Sequence, residues 1–474
     1  MPGRMPAKSS LNFQGMRATV MGLGRFGGGV GVTKFLVSRG AHVTVTDLRS
    51  EAQLADSLSQ LRGLDLHALC LDGHREEDFR QADLVVVNPA VSADNKLLQL
   101  ARSSGAVLTT EMRLFWQHQP GRVVAVTGSN GKSTTTALIH AMLKSSGQRC
   151  WLGGNIGHSL LPELGHIRQD DWCVLELSSF QLEDLDQIGA APDVSVVTNF
   201  SPNHLDRHGT MANYRRAKQS ILRHQSVGGF AVLNSDDADV RSWPTNGVRL
   251  EFGLGDHGGD GAFVDQRRLV LRSDGSEHSL PLDSVWRLPG QHNLQNVLAA
   301  AAASIGLGLG PDAVLGGVQE FEGLPHRLQS VGTAAGRTFV NDSIATTPES
   351  VLCALRSFDR PLVLLAGGYD KRVDLSGMAA ALATGVRAVA LMGQTAETLK
   401  SLIQTHAADG PPLLHTSRDL TDAFDWATSV SRPGDVILLS PGCASYDWFD
   451  SFVDRGEQFC VLAEQWSRRV ADDA

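Results

Sequence analysis

The stretch Val123–Ala137, VVAVTGSNGKSTTTA, constrains this chain more than any other. Val123 to Val126 are β-branched or small and apolar, the signature of a buried strand. The run breaks at Thr127-Gly128 and resumes as a helical pattern from Lys132. A glycine-containing turn between a strand and a helix directs backbone N–H groups inward and sets a helix N-terminus behind them, which suits a polyphosphate. Lys132 would supply positive charge to the terminal phosphates, and the Ser133 hydroxyl a ligand for Mg²⁺. The spacing is a shorter T-G-x-N-G-K-S-T form, because Val126 stands where the standard loop has its first glycine. The stretch predicts an ATP site at Gly128, Ser129, Asn130, Gly131, Lys132, Ser133 and Thr134, on a parallel α/β sheet.

At 474 residues the chain has room for about three domains. With 42% hydrophobic and 20% charged residues it reads as an ordinary soluble globular protein. A net charge of −9 and the lack of a dense Lys/Arg block argue against a nucleic-acid partner. Six cysteines without a C-x-x-C pair suggest free thiols in a reducing compartment. Residues 1–15 hold no apolar core of signal-peptide length, and no later run approaches a membrane span. The expectation is a cytoplasmic, monomeric, multi-domain α/β protein with a loose N-terminus over 1–15 and no membrane insertion.

Met16–Met21 reads as a strand, followed by Gly22-Leu23-Gly24-Arg25-Phe26-Gly27, a helix to Arg39-Gly40, and a second strand His42–Thr46 that ends at Asp47. On paper this is the dinucleotide fingerprint, a glycine turn with an acid twenty residues on. It fits either an NAD(P) site or a Rossmann-like half that holds another nucleotide, with Asp47 or Arg49 near its base or ribose. Strands at Leu84–Val87 and Val107–Thr109 complete a first domain, 16–110.

A second domain, 111–323, follows. After the phosphate-loop helix, Trp151–Gly157 (WLGGNIG) reads as a bare backbone loop, next to a ligand or as a tight connection. Trp172–Ser178 is a strand with Glu176 inside an apolar run. A carboxylate there is rarely left unpaired, so it either coordinates Mg²⁺ or sits in a buried salt bridge. Val194–Thr198 ends in a segment with His204 and Asp206, where parallel sheets place ligands; a lone histidine is equally a structural one. Tyr214–Lys218 belongs to a helix, and Arg268–Arg272 to a small antiparallel hairpin region. His292, Asn293 and Asn296 open an alanine-rich helix, as caps or as ligand contacts. In the last segment, 324–474, four strands near Phe339–Val340, Leu362–Ala366, Val389–Met392 and Val436–Ser440 finish in small or charged residues, a second Rossmann-like pattern.

Together T-G-S-N-G-K-S-T, L-E-L-S-S-F-Q-L-E, N-x-x-x-x-H-L-D-R-H, G-Q-H-N-x-x-N-x-L-A-A, P-H-R and N-D-S-x-A-T strongly resemble the Mur ligases of peptidoglycan synthesis, across all three domains. Gly154-Asn155-Ile156-Gly157, Gly368-Tyr369-Asp370-Lys371 and Leu439-Ser440-Pro441 with Ala444-Ser445 are similar to the members that add D-glutamate to UDP-N-acetylmuramoyl-L-alanine. The resemblance implies ATP-dependent amide formation through an acyl phosphate and a tetrahedral intermediate. It implies Lys132, Glu176, His204 and Lys218 as the catalytic set. Two Mg²⁺ ions would be held by Ser133, Glu176, His204 and a carbamylated Lys218, where the alternative is a helix-surface lysine. Asn293, Asn296, Arg327 and Asp342 would hold ATP. Gly24, Arg25, Phe26, Asp47, Arg49, Asn155 and His204 would hold the UDP substrate, with no nicotinamide needed. Thr346, Lys371, Ser445 and Phe452 would form the amino-acid pocket.

The chain departs from that pattern in two places. The D-glutamate enzymes usually read N-D-S-K-A-T-N, and here Ile344 and Thr347 replace the lysine and the last asparagine, which leaves the acceptor amino acid open. The first glycine turn is also enlarged by Gly28, Gly29 and Gly31. Rival readings are a folylpolyglutamate synthetase-like ligase, an oxidoreductase using Gly22–Gly27 and Asp47, and an ATP-driven switch without ligation.

Overall fold

The computed structural model describes residues 12–472, apart from 25–26, 90, 93, 157–158, 287–289, 322 and 408–409. Three α/β sheets follow one another along the chain. The first contains β1 (Arg17–Met21), β2 (His42–Thr46), β3 (Ala68–Cys70), β4 (Leu84–Val87) and β5 (Val107–Thr109), all parallel, in the order β3-β2-β1-β4-β5. The order reverses at β1, so the glycine turn after β1 lies at the switch point where such sheets bind ligands. Leu84 to Val86 are buried on both faces, as expected of a covered parallel strand.

The second sheet has nine strands: β6 (Arg122–Thr127), β7 (Cys150–Gly154), β8 (Trp172–Glu176), β9 (Val194–Val197), β10 (Phe230–Asn234), β11 (Val248–Gly253), β12 (Gly261–Asp265), β13 (Arg268–Ser273) and β14 (Ser276–Pro281). Their order is β14-β13-β12-β11-β10-β9-β6-β8-β7; β12, β13 and β14 pair antiparallel, the small hairpin region expected around Arg268–Arg272. The phosphate-loop strand β6 lies between β9 and β8. The bare-loop reading of Trp151–Gly157 is corrected. Trp151 to Gly154 are the edge strand β7, paired with β8 in the register Cys150↔Trp172 to Gly154↔Glu176. Gly154 reflects close packing. A Cβ at Gly154 (φ 91°) would lie 2.2 Å from the Glu176 carbonyl oxygen.

The third sheet is β15 (Gln329–Ala334), β16 (Arg337–Asn341), β17 (Leu362–Gly367), β18 (Ala388–Met392), β19 (Leu413–Thr416) and β20 (Val436–Leu439), in the order β15-β16-β20-β17-β18-β19. Only β15 runs antiparallel. Apolar clusters cover both of its faces, one around Leu364 and Met378, the other around Phe339, Phe424 and Phe459. The chain packs as two compact units, Met1–Arg287 with Gln295–Phe321, and Leu288–Leu294 with Glu322–Ala474. The first unit contains the first two sheets and the second contains the third.

Candidate active site

Beyond β6 the chain turns through Gly128 (φ 149°) and Gly131 (φ 78°) into the helix Lys132–Ser145. Neither position admits a side chain. A Cβ at Gly128 would lie 1.9 Å from Thr198 Oγ1, and one at Gly131 2.2 Å from Asn296 Oδ1. The turn is pinned from β9's end: Ser129 N donates to Asn199 O (3.0 Å), Asn130 N to Asn199 Oδ1 (2.8 Å), and Ser129 Oγ to Ser201 O (2.9 Å). Thr198 Oγ1 donates to Asn130 O at 2.6 Å. Lys132 Nζ donates to Ser129 O at 3.1 Å, so its charge stays over the turn. Thr134 is buried and Ser133 half-buried at the helix start, where the first N–H groups have no intrahelical acceptor. Asn296 reaches this turn, 3.4 Å from Thr135 Oγ1.

Lys218 lies inside the helix Met211–Arg223 and is 2% exposed, so it is not a surface lysine. Its Nζ donates to Gly128 O (2.8 Å) and Thr127 Oγ1 (3.4 Å) and sits 4.8 Å over the Tyr214 ring. Burial first, and then the positive charge of Lys132, hold its ammonium well below the usual lysine range; Glu176 opposes both. Burial of this kind shifts a lysine toward the neutral, nucleophilic amine. That is the form that adds CO₂.

Glu176, at the end of β8, is 2% exposed. Its Oε1 accepts from Asn155 Nδ2 at 3.0 Å, while Oε2 is buried without a hydrogen-bond partner. Among the described residues Glu176 makes no salt bridge, so the salt-bridge alternative does not account for it. An orphaned carboxylate oxygen next to a phosphate loop fits a hard cation, as do the Ser133 hydroxyl and a lysine carbamate. His204 stands at φ +53° and is exposed, with its ring edge-on to Phe180 at 5.2 Å and to Tyr214 at 6.4 Å. Its nitrogen suits Mg²⁺ less well than these oxygens. Among the described residues no three His, Cys, Asp or Glu side chains gather as a metal site. The side chain of Asp206 lies outside the described residues.

In the first sheet's turn, Gly22, Gly24 and Gly27 all have positive φ. Asp47 is 3% exposed, with Oδ2 accepting from Gly24 N (3.1 Å) and Oδ1 from Arg49 N (2.9 Å). Its carboxylate thus braces the glycine turn, and Arg49 projects half-exposed beside it. Arg25 and Phe26 lie outside the described residues. The extra glycines have packing reasons. A Cβ at Gly29 would meet Leu23 O at 2.3 Å, and one at Gly31 would meet Ser159 Oγ at 2.4 Å. Ser159 Oγ in turn donates to Glu111 Oε1 (2.6 Å), whose carboxyl burial pushes upward.

The second unit holds most of the other expected residues. Asn293, in the second unit, and Asn296, in the first, are both buried within the helix Gln291–Gly306. Asp342, after β16, accepts from Ser440 Oγ (2.8 Å) and Leu328 N (3.1 Å). Burial pushes its carboxyl up to about 6, against those bonds and the nearby Arg327. Arg327 Nε is buried without a hydrogen-bond partner, a donor suited to a nucleotide oxygen.

The residues expected to form an amino-acid pocket follow β16, β17 and β20. Ser445 is buried, Thr346 and Phe452 are half-buried, and Lys371 is exposed. Their loops are tied together: Gly442 N donates to Ala345 O (2.8 Å), Tyr369 N to Ala444 O (2.9 Å), and Ser343 Oγ to Phe452 O (2.7 Å). Sequence reasoning missed the residue at the centre of this knot. Arg455 is fully buried, with Nε donating to Ser343 Oγ and Nη2 to Ser343 O (both 2.9 Å), and Nη1 to Cys443 O (3.2 Å). Burial pushes its guanidinium down to about 10, still charged at neutral pH. The only signal was an arginine one turn beyond Phe452.

The Mur ligase middle-domain family model matches residues 126–304, the Mur ligase glutamate ligase domain 326–443, and the Mur ligase MurD-like N-terminal domain 16–109. The chain belongs to the Mur ligase family. This Mur ligase is 40% identical to UDP-N-acetylmuramoylalanine–D-glutamate ligase of Roseiflexus sp. (strain RS-1), covering 96% of this chain and all of that one. It is 37% identical to the enzyme of the same name from Symbiobacterium thermophilum, over 95% and 98% of the two chains. Among solved structures, UDP-N-acetylmuramate-alanine ligase MurC from Thermotoga maritima shares its fold with a TM-score of 0.62 at 19% identity, over 95% and 99% of the chains. MurF ligase from Thermotoga maritima in complex with ADP does so with a TM-score of 0.59 at 18% identity, over 97% and 99%.

Proposed function

We propose that this Mur ligase joins D-glutamate to UDP-N-acetylmuramoyl-L-alanine with hydrolysis of ATP to ADP and phosphate. The observation that carries the chemistry is the phosphate turn flanked by Lys132, the buried amine of Lys218 and the orphaned Oε2 of Glu176. The acceptor is carried by the names of the relatives. The substrate carboxylate oxygen attacks the γ-phosphorus and ADP leaves, giving an acyl phosphate. The D-glutamate amine then attacks the acyl carbon, a tetrahedral intermediate forms, and phosphate departs as the amide closes.

Two anions must meet in the first step, so positioning and charge neutralisation supply most of the catalysis. The turn Gly128 to Thr134 takes the phosphates at the N-terminal end of the helix Lys132–Ser145, and Lys132 holds the charge that builds on them. Mg²⁺, when bound, neutralises the phosphate oxygens; Ser133, Glu176 and a carbamylated Lys218 would hold it, with His204 near a second ion. Asn293, Asn296, Arg327 and Asp342 bind the rest of ATP. Gly24, Asp47, Arg49, Asn155 and His204 bind the UDP substrate, in a domain that ends near 110. Thr346, Lys371, Ser445 and Phe452 orient D-glutamate in the domain that begins near 324, where a cation and hydroxyls suit two carboxylates. The enzyme works as a cytoplasmic monomer; no helix among the described residues is long and apolar enough to cross a membrane.

Phosphate release from ATP and Mg²⁺ with UDP-N-acetylmuramoyl-L-alanine, across a panel of amino acids, tests the reading. Release that depends on D-glutamate, with the ligated product found by mass, is the expected result. Release with another amino acid keeps the ligase and shifts the acceptor, which Ile344 and Thr347 make the informative alternative. No release with any acceptor overturns it.

A further inference from the structure

Behind the phosphate turn, Ser179, His208 and Glu183 form a relay that the reaction above does not use. Ser179 Oγ lies 2.9 Å from His208 Nε2, and His208 Nδ1 lies 3.3 Å from Glu183 Oε1. The arrangement matches a nucleophilic triad in connectivity, but Ser179 is 2% exposed and His208 6%, so no substrate carbonyl reaches the hydroxyl. Its location gives it another use. Ser179 opens the helix Ser179–Asp186, into which Glu176's strand leads. His208 closes the short helix Leu205–His208, which begins directly after His204, and its N–H donates to His204 O (3.0 Å). Its carbonyl accepts from Asn213 Nδ2 (2.9 Å), and its ring lies 5.1 Å from Tyr214, both on the helix of Lys218. Phe180 stacks flat on His208 (5.0 Å, 8°) and meets His204 edge-on.

We infer that His208, held by Ser179 and Glu183, is a positioning residue that sets the segments of Glu176, His204 and Lys218 against one another for the cation. One imidazole thus joins the three segments that supply these residues. The inference rests on the ligase reading, in that it presumes a divalent ion at this site.

The test is Mn²⁺ binding to the intact protein with ADP, followed by electron paramagnetic resonance, for wild type, His208→Gln, Ser179→Ala and Glu183→Gln. We expect His208→Gln and Ser179→Ala to weaken Mn²⁺ by about tenfold, in variants that stay folded at the assay temperature and keep an unchanged KM for the amino acid. Their double variant should be no weaker than either, and Ser179→Thr, which keeps the hydroxyl, should restore binding. Wild-type Mn²⁺ affinity in folded Ser179→Ala and Glu183→Gln overturns the proposal, whether or not His208→Gln folds. A wild type that binds ADP but no Mn²⁺ overturns both the proposal and the metal part of the ligase reading. Mn²⁺ bound normally by a wild type that makes no product fails the ligase reading alone.

Discussion

Two buried cations, one in each compact unit, meet the same physical problem in opposite ways. Lys218 and Arg455 are both sealed from water and both donate to backbone carbonyls: Lys218 to Gly128, Arg455 to Ser343 and Cys443. Neither forms a salt bridge among the described residues. Burial next to Lys132 drives Lys218 toward the neutral amine, whereas Arg455 falls only to about 10 and keeps its charge. A lysine can give up its proton and become a reagent; a guanidinium cannot, and spends its donors as a fixed fork. The contrast separates a group poised for chemistry from one that braces loops.

The largest effect should come from collapsing that difference. Lys218→Arg keeps a cation but removes the amine, and should lower the rate of product formation by about 10²–10³-fold, the scale of losing one transition-state stabiliser. Intact-protein mass spectrometry should find the increment of one CO₂ on wild type and none on this variant. Next, Glu176→Gln removes the one charge that favours the Lys218 ammonium and the orphaned oxygen together. The Mg²⁺ concentration for half-maximal rate should rise by about 10–100-fold, read from titrations at saturating ATP. In the other unit, Arg455→Lys keeps charge but not the fork. The KM for the amino acid should rise by about tenfold, with the KM for ATP unchanged, and unfolding in urea should show a loss of about 1–3 kcal/mol from unsatisfied carbonyls.

Asp342→Asn should leave the rate least affected and change stability with a sign that depends on pH. The folded carboxyl titrates near 6, above its unfolded value of 3.8. The fold therefore favours the protonated form, and that contribution is present below the unfolded value and lost as pH rises through about 6. Wild type should melt higher at pH 5 than at pH 7.5 on this account, and the asparagine variant should narrow that gap, by about 1–3 kcal/mol.

What the sequence made legible follows burial. Strands covered on both faces, such as LVVV at β4, VVAV within β6 and LVLLA within β17, carry an unbroken apolar run and were found close to their true bounds. The edge strands β3, β15 and β19 go unread and the edge strand β7 reads as a loop, since short, polar or glycine-bearing stretches at an edge need only one neighbour. The interior strand β11 goes unread too, its apolar residues interrupted by Arg249 and Glu251, whereas the edge strand β5 is read. The glycine turns and Lys132 were legible because their chemistry is local. Arg455, Tyr214 and the Ser179–His208–Glu183 relay were not, because each acquires meaning only from partners distant in sequence. The burial of Lys218 was likewise invisible within YRRAK, where its neighbours are mostly charged or polar.

Arg455 also imposes an order on assembly. It sits in the first turns of the helix Phe452–Asp472, yet the segments it staples follow β16 and β20. A growing chain can complete the phosphate turn, with Lys132, Glu176 and Lys218 all in place, long before the ribosome reaches this helix. The loops around Thr346 and Ser445 must wait for it, so the phosphate turn can take its shape before those loops take theirs.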